Sequence, residues 1–135
     1  MKIIKINQFV SGFLIMIFFL LLTKTVLSKE NQFECKVKDF KTSDIDKDFI
    51  IKNIRKQFLI TTTQTSFYLT QISNDYKNSQ KIYKISKRWD HLLVIYKIDP
   101  YVSEIISFNE LKAEGTIVIK SNSFVNFWVL KCIKN

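Results

Sequence analysis

Phe33, Cys35 and Val37 alternate with Glu34, Lys36 and Lys38, and the same two-residue period returns along most of the chain. Alternation of this kind lets a strand bury one face and wet the other, so it constrains the fold more than any other feature. Side-chain type agrees. From Lys29 to Asn135, Ile, Val, Thr, Phe, Tyr and Trp fill 43 positions, while Ala, Leu and Met fill 7. Branched and aromatic side chains lose rotamer freedom in a helix and fit a pleated surface. Ile, Leu, Val and Phe make up 35 of those 107 residues, enough for a packed core. The expectation is an all-β or β-rich domain, a single small antiparallel sandwich or barrel.

The pattern places strands over 33–37, 58–63, 65–72, 81–85, 92–98, 102–108, 116–120 and 124–132. Leu92 to Ile98 is almost continuously apolar, which suits the middle of a sheet. Asn74-Asp75, Asn78-Ser79, Asp99-Pro100 and Ser121-Asn122-Ser123 read as turns. One short helix is expected near residues 44–56. Ser43 could cap it, Asp44, Asp46 and Asp48 would sit at its positive end, and Lys52, Arg55 and Lys56 at its negative end.

Residues 1–28 have a different character. Lys2 and Lys5 form a basic start, Phe9 to Leu22 carry no charge, and Val26-Leu27-Ser28 suits a cut after Ser28. Those are the three parts of a secretory signal peptide. The alternative is an uncleaved membrane anchor through residues 9–27, which would have to bury Lys24. The domain organisation expected is therefore a signal at 1–28 and one secreted or periplasmic domain at 29–135. Three of the 21 basic residues and none of the 12 acidic ones lie in the leader, so the domain keeps a formal charge of +6.

Cys35 and Cys132 stand near the two ends of that domain, each in an alternating run. In an exported chain, two such cysteines are expected to form one disulfide that holds the first and last strands together.

Catalytic and cofactor chemistry finds little support. The chain has 135 residues, 2 Gly and 1 His. It is too short for a large enzyme barrel and has no Gly-rich phosphate loop. One His and two Cys are too few for a structural zinc site. Asp90-His91 is the only His-containing pair, and on a strand the two would face opposite ways. Asp44, Asp46 and Asp48 lack the Gly and Glu of an EF-hand loop. Thr61, Thr62, Thr63 and Thr65 form a Thr cluster that strand preference alone explains. No enzyme activity, metal or cofactor is expected.

The densest basic-aromatic stretch is Lys81, Lys84, Lys87, Arg88 and Trp89, the candidate surface for an anionic partner. Outside the cytoplasm that partner would be a protein, a polysaccharide or an anionic lipid surface, rather than nucleic acid. The function expected is a small exported binding or inhibitory domain without enzymatic activity. The alternative is a small β-barrel carrier of an apolar ligand.

In outline the chain is similar to small secreted bacterial β-domains such as the periplasmic inhibitors of C-type lysozymes. The likeness lies in size, in the aromatic-x-Cys start at Phe33-Glu34-Cys35 and in the late Cys132. The resemblance implies a secreted β-domain. The Gly-containing inhibitory segment of that family has no counterpart here, so no functional residue carries over.

Overall fold

The computed structural model describes residues 29–72 and 79–135. The leader expected at 1–28, and the turn residues Asn74, Asp75 and Asn78, lie outside the described residues. Nine strands and one helix follow in order: β1 (Asn31–Thr42), α1 (Lys47–Ile54), β2 (Gln57–Thr62), β3 (Ser66–Ile72), β4 (Ser79–Lys84), β5 (Lys87–Trp89), β6 (Leu92–Ile98), β7 (Val102–Asn109), β8 (Glu114–Ser121) and β9 (Val125–Lys134). All strand pairs are antiparallel. The β-rich expectation with one short helix is met by a single curled sheet shaped as a half-barrel.

The strand order is β4-β3-β2-β1-β9-β8-β7-β6-β5. Every strand therefore lies beside its sequence neighbour, and the first and last strands join the two halves. Only the step from β4 to β5 breaks the circle. The curl brings distant strands face to face across the interior. Phe33 of β1 meets Phe108 of β7 at 4.9 Å between ring centroids, and Phe67 of β3 meets the same ring at 6.0 Å. Phe33, Ile60, Phe67, Leu93, Ile106, Phe108 and Leu130 are almost wholly removed from water. Burying one such side chain stabilises by about 1.5–3 kcal/mol, so this interior supplies most of the driving force for folding.

Alternation explains the lining. Phe58, Ile60 and Thr62 of β2 point inward, as do Phe67 and Leu69 of β3, and Trp128, Leu130 and Cys132 of β9. A bulge between Val37 and Asp39 shifts the register of β1 against β9 by one residue. It returns Phe40 to the inner face, opposite Trp128 at 5.0 Å between rings. Gly115 lies opposite Phe108. A Cβ there would stand 2.7 Å from the Phe108 ring and 2.9 Å from the Ser107 carbonyl, so only glycine leaves room for the central aromatic.

The helix starts later than the sequence suggests. Asp46, not Ser43, caps α1, with its carboxylate accepting from the Asp48 N–H at 2.9 Å. Ser43 is held instead by β9: its hydroxyl oxygen accepts from the Val125 N–H at 2.9 Å. The helix lays Phe49 against Phe40 and so covers the Trp128 end of the half-barrel.

A second correction concerns β6. It lies not mid-sheet but next to the edge, beside a strand of three residues. Its apolar run misleads because only Leu93, Val94 and Ile95 are buried, whereas Tyr96 and Ile98 are exposed.

Cys35 and Cys132 are cross-strand partners in β1 and β9, and they form the disulfide. The bond spans 97 residues of sequence and ties the strands on which the circular order depends. For the Cys35→Ser/Cys132→Ser variant we expect a loss of about 2–5 kcal/mol in denaturant unfolding, with an unfolded-state contribution that grows with loop length. Gly115→Ala should cost about 1–3 kcal/mol in the same assay, through displacement of Phe108. An unchanged midpoint for either variant would contradict its assigned role.

Candidate functional site

The basic-aromatic stretch does not form one face. The chain bends at Ser86, where its neighbour changes. Up to Ile85 it pairs with β3, and the Ile85 N–H donates to the Thr65 carbonyl at 2.9 Å. From Ser86 onward it pairs with β6: the Ser86 N–H donates to the Val94 carbonyl at 3.0 Å. The Ser86 hydroxyl oxygen also accepts from the Tyr96 N–H at 2.9 Å, substituting for a backbone partner at the branch. Beyond that point no β4–β6 ladder forms among the described residues. The Ser86–Val94 bond is already out of step with the β5–β6 register, in which Lys87 faces Val94, so the ladder does not continue from β5 into β4.

The result is an open seam between β4 and the outer half of β6. It encloses a notch of about 510 Å³, lined among others by Ile82, Lys84, Ile85, Tyr96 and Lys97. Ile82 and Tyr96 are exposed along it. Among the described residues, β4 and the outer half of β6 have no strand neighbour on the sides that face the seam.

Two of the candidate basic residues brace the sheet. Lys81 donates to Glu104 of β7 at 2.8 Å, and the Tyr83 hydroxyl donates to the other Glu104 oxygen. Arg88 donates to Glu110 at 2.9 Å and to the Thr63 carbonyl at 2.6 Å. The buried Thr62 hydroxyl also donates to Glu110. Glu104 and Glu110 thus pull the two arms of the sheet together across the open side. Lys84, Lys87 and Trp89 remain exposed, with the Lys87 ammonium 5.7 Å from the Trp89 ring centroid.

Glu104 is only 8% exposed. Burial pushes its carboxyl upward, but the hydrogen bonds from Lys81 and Tyr83 and the charges of Lys81 and Lys97 outweigh that, leaving it lowered. Burial, followed by the hydrogen bond to Glu104 and its charge, pushes the Tyr83 hydroxyl well above its ordinary range.

A second concavity of about 80 Å³ opens between Lys56 and strands β2, β3, β4, β8 and β9. Phe58, Leu69, Ile117, Ile119 and Trp128 form its apolar wall, and Lys56, Gln71, Ser79, Lys81 and Tyr83 supply polar groups. It is well below the roughly 300–1,000 Å³ of a site for a drug-sized ligand. The Lys56 ammonium lies 5.5 Å from the Trp128 ring centroid. The Trp128 indole N–H is buried without a hydrogen-bond partner among the described residues.

His91 is exposed in the β5–β6 turn, following Asp90 at a φ of 46°. Its carbonyl accepts from the Glu110 N–H at 2.8 Å. Asp44 and Asp46 serve the approach to α1, where the Asp44 carboxylate accepts from the Asp46 N–H at 2.9 Å. The Thr cluster divides between a buried brace at Thr62 and a turn at Thr63, whose hydroxyl oxygen accepts from the Ser66 N–H at 3.0 Å. Among the described residues there is no group of three potential metal ligands, and no helix long and apolar enough to cross a membrane.

Comparison with protein-family models, curated proteins and solved structures finds no match to this chain.

The sign of the Glu104 effect is testable. A carboxyl lowered in the folded state stabilises above its unfolded value of about 4.3 and loses that contribution as pH falls through the folded value. Glu104→Gln should therefore be about 1–3 kcal/mol less stable than the parent at pH 7 in urea unfolding. The gap should narrow as the solution is acidified. A gap that stays constant or widens toward acid would contradict the assignment.

Proposed function

We propose that this domain is a small exported binding module that takes an acidic, extended polypeptide segment along the open β4–β6 seam. The observation that carries the reading is the interruption of pairing at Ser86, which leaves two strand edges without neighbours. An extended partner can add a strand to such an edge, with backbone hydrogen bonds for affinity and side-chain contacts for specificity. Lys84 and Lys97 both line the notch, so acidic residues on the partner would meet a cation on each flank. Exposed Ile82 and Tyr96 offer apolar contact to the residues between.

A protein segment is favoured over a polysaccharide or lipid surface because unpaired backbone edges are matched in register only by another backbone. Export rests on the signal-like residues 1–28 and on the disulfide, which persists in oxidising compartments. A binding or inhibitory role without catalysis rests on the isolation of His91 at an exposed turn and on the use of the nearly buried carboxylates Glu104 and Glu110 as braces. The interior cavity of about 80 Å³ does not favour carriage of a large apolar ligand.

The test uses a labelled peptide of alternating Glu and Val, titrated with the oxidised domain by fluorescence anisotropy. Binding should weaken with added salt. The Lys84→Glu/Lys97→Glu variant should bind about 10-fold or more weakly, a loss of about 1.4 kcal/mol. A peptide N-methylated at alternate backbone positions should lose binding while keeping its charge. Equal binding of the methylated peptide would overturn strand addition, and an unaffected charge-reversal variant would overturn the acidic preference.

A further inference from the structure

Trp128 is 5% exposed, its indole N–H has no partner among the described residues, and its residue borders the cavity of about 80 Å³. The nitrogen itself is sealed off, so a ligand in the cavity meets the ring, and the indole N–H signal reports the change in its surroundings. The cavity wall supplies apolar surface from Phe58, Leu69 and Ile117, and a cation from Lys56. We propose that this cavity is a binding site for a small monocarboxylate with a short apolar tail.

The ammonium of Lys56 meets the carboxylate beside the Trp128 ring. The short tail lies against Phe58, Leu69 and Ile117. Lys81 at the rim is already bonded to Glu104, so Lys56 carries the charge recognition. Among the described residues Lys56 has no acidic partner within salt-bridge distance. Burial, with help from the charges of Lys52 and Lys81, holds its ammonium below the usual lysine range, an imbalance that a bound anion relieves. About 80 Å³ admits a molecule of a few heavy atoms and excludes a fatty acid or larger ligand. This site is separate from the strand edges of the seam and stands whether or not a polypeptide binds there.

The chain has two tryptophans, so the experiment has an internal control. Trp89 is 54% exposed, distant in sequence and on β5. The oxidised domain, labelled with nitrogen-15, gives two indole N–H signals, assigned with Trp89→Phe. Titration with sodium butyrate should move the Trp128 signal with saturation near a Kd of about 1 mM, and leave Trp89 in place. Lys56→Met should weaken the response at least 10-fold while keeping the fold, which its amide spectrum reports. Lys56→Arg should restore most of it. Butylammonium chloride should produce no saturating change. A Trp128 signal that stays fixed, that responds equally to butylammonium chloride, or that saturates unchanged in a folded Lys56→Met variant would overturn the site.

Discussion

The Cys35–Cys132 bond is the constraint on which the rest of the structure depends. Seven of the eight strand pairings join sequence neighbours, β1 and β2 with α1 between them. The β1–β9 pair is different, because it joins residues from opposite ends of the domain. Pairing of that separation carries a large loop-closure cost in the unfolded chain. The disulfide removes much of that cost, and it lies at a cross-strand pair whose side chains face the core. Once β1 and β9 are held together, each half of the chain extends the sheet by one hairpin after another, outward to β4 on one side and β5 on the other.

That arrangement places the weakness of the fold at its middle in sequence. The circle of strands meets again where β4 runs into β5, and closure there is only partial. Ser86 makes the join, the ladder stops there, and the two arms are tied through side chains instead. Glu104 and Glu110 perform the tying from β7 and from the residue that follows it. Each is nearly buried: Glu104 receives Lys81 and Tyr83 from β4, and Glu110 receives Thr62 from β2. The proposed seam and the braces that hold it have one origin: the sheet curls enough for side chains to meet but not enough for the backbones to pair.

Local structure was legible in the sequence because it depends on neighbours. The 92–98 strand, the Asp99-Pro100 turn and the inward face of Trp128, Leu130 and Cys132 all follow from alternation and turn chemistry. The disulfide was legible because both cysteines lie on inner faces near the ends. The edge position of β6 was not, since a continuous apolar run has the same form whether its outer half is covered or bare. The basic stretch was read as one surface, yet a bend at Ser86 turns Lys81 and Arg88 toward separate acidic partners. Those partners lie 23 and 22 residues away, and nothing in the local pattern of Glu104 or Glu110 marks them as braces. The orphaned Trp128 donor likewise has no local signature, since it depends on how distant side chains pack around the ring.

The central claim is that this sheet is closed at β1–β9 and open at β4–β6. Hydrogen–deuterium exchange of the oxidised domain tests it most directly, since amide protection reports local pairing. Amides of β1 and β9 should be the slowest to exchange. The outward amides of β4 and of Ile98, which lack a strand neighbour among the described residues, should exchange orders of magnitude faster, with a sharp change in protection at Ser86. Uniform protection across β4 and β6 would show a closed barrel and contradict the account.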